Sequence, residues 1–183
     1  MKLNVIYGDM DMKKKGIAIG SGVIIAVLLA SVLLISSDDA KRAAMVSLCS
    51  DITKDNMKSP STYKMTSATA NLKTLTSGEV EEKVRSMHSD AISNAVSKGL
   101  LTIRNGEVFV DFEASNPMGV SLKGLTKCEF DNFSDSWSSL EAVSIDGNQI
   151  SSPEVIIASA GKKIESGFIS KARFLIYKVT GKI

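Results

Sequence analysis

The sequence is poor in the residue types on which catalysis and metal binding draw. Among 183 residues there is one histidine, His88, and there are two cysteines, Cys49 and Cys128. A zinc site needs three or four clustered ligands, so no metal site is expected, and no cofactor. The glycines Gly16, Gly20 and Gly22 fall in an apolar stretch rather than in a phosphate-cradling loop. No Gly-x-Ser-x-Gly elbow is present, and no Ser-x-x-Lys setting recommends itself as a nucleophile. His88 falls inside a helical pattern, where a solvated or half-buried imidazole is the ordinary case. As a general base it would need a nucleophile and an orienting acid that only folding could supply. Carboxylates are plentiful but no pair stands out. The chain reads as a non-enzyme.

Also lacking is any charge of one sign in bulk. Four lysines (Lys2, Lys13, Lys14, Lys15) and two aspartates (Asp9, Asp11) precede Gly16, which leaves 18 basic and 18 acidic residues for the remainder. A near-neutral domain lacks the basic face with which to displace counterions, so no nucleic-acid partner is expected. Internal repeats and low-complexity segments are absent as well.

One long uncharged run is there. From Gly16 to Ile35 the only polar side chains are Ser21 and Ser31. Twenty residues of helix, at about 1.5 Å each, match a hydrocarbon core of about 30 Å. The run stops at Ser36-Ser37-Asp38-Asp39, and Lys13 to Lys15 abut its other end, which keeps that end cytoplasmic by the positive-inside rule. The expectation is a cytoplasmic tail (1–15), a transmembrane helix (16–35) in the inner membrane, and an extracytoplasmic domain (36–183) in the periplasm or outside the cell. The alternative is a cleaved signal peptide starting at Met12, but the run is long for one and Ile35-Ser36-Ser37 is a poor cleavage site. Ala18, Gly22, Ala26 and Ala30 recur every four residues, a ridge along which two spans could form a homodimer; small residues are also simply common in such spans. A pilin-like subunit cut before Ile17 is a further alternative, with Ser21 where pilins carry Glu.

In the domain, Asp38 to Lys58 reads as a helix with Ser37 as N-cap and an apolar face of Ala44, Met45, Leu48, Cys49 and Ile52. Tyr63 to Ala70 is a candidate strand. A second helix starts at the Thr76/Glu79 capping box, carries Val80, Val84, Met87, Ala91, Ile92, Ala95 and Val96, and ends at Gly99. Asn105-Gly106 between apolar runs predicts a hairpin joining strands Leu100–Arg104 and Glu107–Glu113. A third strand ends near Phe130, and a polar loop from Asp131 to Ser139 carries Phe133 and the only tryptophan, Trp137. Leu140 to Ile145 is a strand closed by Asp146-Gly147-Asn148. Ser151 to Gly167 is a short helix with a Ser151/Glu154 capping box and Pro153 at its first position, and the β-branched, aromatic stretch Phe168 to Val179 is a last strand. The fold class is α+β, an antiparallel sheet with two or three helices on one face.

Two cysteines in an exported domain most simply pair, Cys49 with Cys128; two buried free thiols are the alternative. Phe133 and Trp137, on one polar loop, are the partner-binding candidates; turning inward over the sheet is the alternative.

Cys49, Lys58-Ser59-Pro60-Ser61-Thr62, the run Val110 to Val120 containing Ala114-Ser115-Asn116-Pro117-Met118-Gly119, and Lys127-Cys128-Glu129-Phe130 together resemble a bacterial and phage pattern. It is similar to small exported or membrane-tethered domains of unknown function, over about Ala40 to Phe130. The resemblance supports the cysteine pairing, implies a bacterial or phage envelope setting and implies no catalytic residue. The expected role is a non-catalytic, membrane-anchored envelope protein that binds an envelope protein partner in envelope assembly, secretion or conjugation, or phage exclusion. An enzyme acting on envelope polymer is the remaining alternative.

Overall fold

The computed structural model describes residues 30–133, 137–162 and 164–183, with the backbone alone at Trp137. Residues 30–33 are helical, and Ser36–Ile183 form a compact unit of their own. The tail 1–15, most of the span 16–35 and the ridge positions Ala18, Gly22 and Ala26 lie outside the described residues; Ala30 is described and exposed. No helix among the described residues is long and apolar enough to cross a membrane.

The unit is α+β. Its five strands, β1 (Lys64–Thr74), β2 (Ile103–Ser115), β3 (Ser121–Phe133), β4 (Trp137–Ile145) and β5 (Asn148–Gln149), form one antiparallel sheet in chain order. Its helices are α1 (Ser37–Asp55), α2 (Ser77–Ser86), α3 (Asp90–Ser97), α4 (Ser152–Ser159) and α5 (Phe168–Val179), with a 3-10 turn at Pro60–Thr62.

Helix α1 is the centre of the domain. Ser36, one residue before the expected cap, takes extended geometry and its hydroxyl accepts the Asp39 N–H, while Asp38 and Asp39 suit the positive end of the helix dipole. The expected stripe of Ala44, Met45, Leu48, Cys49 and Ile52 is buried, but so are Ala40, Ala43 and Val46. A helix apolar on most of its circumference needs cover on two sides. The sheet supplies one side and α5 the other. Arg104 of β2 donates to both carboxylate oxygens of Asp38 at 2.9 Å and thereby holds the Asp38 carboxyl below its usual range.

The largest departure from expectation is α5, which is a helix and not a strand. Ser170, Phe174 and Tyr177 are spaced as one helix face; Ser170 is buried and Tyr177 packs on the central cluster. Burial raises the Tyr177 hydroxyl pKa, against a hydrogen bond with Ser47 of α1. After α5 the chain returns to the sheet edge, where the Lys182 carbonyl accepts the Ala68 N–H of β1 at 2.6 Å.

A second departure is at Asn105-Gly106. There is no hairpin: both residues lie inside β2, paired with Lys73 and Leu72 on one side and with Asp131 and Phe130 on the other. The glycine has a different cause. A Cβ there would stand 2.8 Å from the Met45 sulfur and 2.8 Å from the Asn132 amide nitrogen, so only a residue without a side chain lets α1 come this close to the sheet. The true tight turn of the meander is Asp146-Gly147, both at positive φ, where it was expected. The Ser151/Glu154 capping box opens α4 as read, though α4 ends at Ser159.

Cys49 of α1 and Cys128 of β3 form a disulfide, with Cα atoms 6.0 Å apart, and both are fully buried. Beside it the Thr53 hydroxyl donates to the Cys49 carbonyl at 2.7 Å, and the Thr53 and Thr126 hydroxyls bond at 2.9 Å. The whole buried cluster, Ala44 through Ile164, belongs to Ser36–Ile183. This segment therefore has the core a domain needs to fold by itself.

Candidate functional site

The aromatic loop expected at Asp131–Ser139 does not exist in that form. Strand β3 continues through Asp131, Asn132 and Phe133, and Phe133 is 2% exposed. It pairs with Ile103 of β2 and, across the hairpin, with Trp137, which opens β4. Phe133 is thus a packed residue and not an exposed anchor; the Trp137 side chain lies outside the described residues. The inward alternative holds for Phe133, because a strand three residues longer than expected carries the ring under its neighbours.

An apolar cleft lies elsewhere, on the segment inserted between β1 and β2, where Val80, Val84 and Val96 are half-buried. The segment is two helices and not one. Helix α2 starts at the Thr76/Glu79 capping box as expected, where Lys73 at 2.7 Å from Glu79, with the Thr76 backbone and hydroxyl, lowers the Glu79 carboxyl to about 2. It stops at Ser86. His88 has φ 49°, its ring nitrogen Nδ1 bonds the Ser86 carbonyl at 2.8 Å, and the Ser89 hydroxyl accepts the Ile92 N–H to start α3. His88 is exposed. Its role here is to turn the chain in the left-handed region, which histidine tolerates better than most residues.

This break folds the expected apolar stripe on itself. Val80 and Val84 of α2 face Val96 of α3 across a cleft of about 680 Å³ that Leu75 also lines. Arg85, His88, Asp90 and Ser93 edge the cleft with mixed polarity. Neither helix buries a single residue. An amphipathic helical pair whose apolar stripe stays half-exposed is an arm with unspent binding surface.

What ties the arm to the sheet is charge. Glu107 of β2 and Glu129 and Asp131 of β3 lie on the face opposite α1, together with Asn71 and Glu141, around a cleft of about 290 Å³. Lys83 of α2 reaches down to this face, so the helices are not all on one side of the sheet. Its ammonium stands 2.6 Å from Asp131 Oδ2 and 3.8 Å from Glu141. The approach to Asp131 is off-angle, an ion pair without hydrogen-bond geometry. Asp131 is 2% exposed. Burial raises its carboxyl pKa, Lys83 opposes the rise, and Glu141 adds to it.

No group of His, Cys, Asp and Glu able to hold a metal occurs among the described residues. No protein-family model, no curated protein and no solved structure matches the chain.

Proposed function

We propose that the chain is a membrane-anchored envelope protein of a bacterium or phage whose exported domain holds a protein partner in the cleft between α2 and α3. The observation that carries this reading is the helical arm itself: Val80, Val84 and Val96 make an apolar lining, yet no residue of either helix is buried. Isolated helices this short are marginal in water and depend on packing of their apolar face. The mixed charges at the rim, Arg85 against Asp90, suit a polypeptide with both signs rather than an anionic ligand. The uncharged run Gly16–Ile35 with Lys13 to Lys15 before it supports the tether. The Cys49–Cys128 bridge supports an oxidising compartment. The helical arm replaces the aromatic tip as the binding element.

The test is a pair of substitutions in the cleft wall. Val84→Asp with Val96→Asp places two carboxylates in the apolar lining. Co-purification of the native envelope partner should fall by about two orders of magnitude, the scale of hot-spot residues. The melting temperature should stay within a few degrees, because both side chains are only half-buried. Retention of the partner by a folded double variant would remove this cleft as the site.

A further inference from the structure

Helix α5 keeps a second apolar face turned to solvent in addition to the one that packs on α1. The face toward α1 carries Ser170, Phe174 and Tyr177, whereas Ile169, Ile176 and Val179 on the outward face are 72%, 60% and 79% exposed. With 3.6 residues per turn, Ile169, Ala172, Ile176 and Val179 fall on one outward face, and Phe168 at the helix start adds a ring that is 54% exposed. Lys171 and Lys178, seven residues apart, share one margin of this apolar face. Their stretch is basic as a whole: residues 161–183 hold six Lys and Arg against Glu165 alone. Lys162 of this stretch pairs with Asp55 of α1 at 3.8 Å, and the excess of positive charge that remains belongs to the last helix and its flanks.

We infer that the outward face of α5 is a membrane-surface site that takes the headgroup region of an anionic phospholipid bilayer. An apolar face bordered by lysines is the pattern by which a helix lies in a bilayer interface, its aliphatic side chains among the acyl chains and its ammonium groups at the phosphates. The charge argues against the other occupant an apolar face suggests, a second copy of this chain. Isologous pairing would set one cluster of positive charge against its twin. This site is separate from the cleft between α2 and α3, and its test needs neither the partner nor the membrane span.

The experiment uses the Ser36–Ile183 domain, which carries its own core, and flotation with vesicles. One set is phosphatidylcholine alone, the other contains about one third phosphatidylglycerol, whose surface potential attracts about one kcal/mol of binding per lysine. The domain should float with the anionic set at low salt, be released as salt rises, and stay behind with the neutral set. Lys171→Gln with Lys178→Gln should weaken binding about thirtyfold. Ile169→Ser with Ile176→Ser should abolish it while the melting temperature holds, since both side chains already face water. Failure to float with anionic vesicles overturns the inference, as does equal binding to both sets. So does dimerisation of the lipid-free domain that the isoleucine substitutions abolish, which would assign the face to a second copy.

Discussion

Replacing Cys49 and Cys128 together by alanine is expected to produce the largest loss of stability open to this domain by substitution of surface-inaccessible residues without charge. The bridge spans 79 positions of sequence, and closing a loop of that size removes denatured-state entropy worth about 4–5 kcal/mol in the chain-entropy model, an upper figure. It also joins the two layers that define the fold, because Cys49 lies on α1 and Cys128 on the central strand β3. Small α+β domains are stable by about 5–15 kcal/mol in all, so the loss is a large part of the total. The measurement is the denaturant midpoint of the oxidised and double-alanine proteins. A shift worth less than about 1 kcal/mol would show that α1 is held by packing alone. In the oxidised protein, alkylation without reductant should leave Cys49 and Cys128 unmodified, as neither cysteine is free.

The second large effect is expected from Lys83→Met. Removing one member of a buried ion pair strands the other, at a cost of about 3 kcal/mol, the low end of the usual range because the Lys83 amine is partly exposed. The dependence on pH has a definite sign. Asp131 in the folded protein titrates above its ordinary value of 3.8, so the folded state holds a proton that the unfolded chain has already released. Its contribution to stability therefore falls as pH rises from about 4 through the raised folded value, and is constant above it. Without Lys83 the folded value rises further, which extends the fall to higher pH. The variant should be most impaired at neutral pH and closest to the parent near pH 4. A deficit independent of pH would mean that Lys83 acts through its aliphatic packing and not through Asp131. Because α2 buries nothing of its own, the same substitution should also loosen the arm and weaken partner capture.

Local signals were legible in this sequence and long-range ones were not. Both capping boxes, Thr76/Glu79 and Ser151/Glu154, and the Asp146-Gly147 turn depend on neighbours within four residues, and each stands where the residues place it. Asn105-Gly106 carries the same kind of local signal, but Gly106 answers to Met45, far earlier in the chain, which a local rule does not see. Residues 168–179 mislead for a related reason. The outward isoleucines and valine raise strand propensity, and Phe174 and Tyr177 on the inward face do the same, so both faces carry strand-forming residues and the helical period is hidden. Only the need of α1 for cover on its second side makes this stretch a helix. Phe133 was misplaced by three residues of strand, enough to turn an apparent loop aromatic into a buried one. The cleft was half legible: Val80, Val84 and Val96 were read as one stripe, and the break at His88 that folds the stripe into two walls has no strong sequence mark.

The most direct measurement is a photo-crosslinking amino acid in place of Val84, in the full-length chain in its native envelope. Irradiation should yield an adduct with a different polypeptide. The adduct should be absent when the crosslinker replaces Lys123, an exposed position on β3, and absent when Val96→Asp is present. No adduct from position 84, or the same adduct from position 123, would contradict the assignment of the cleft between α2 and α3 as the place where this domain meets its partner.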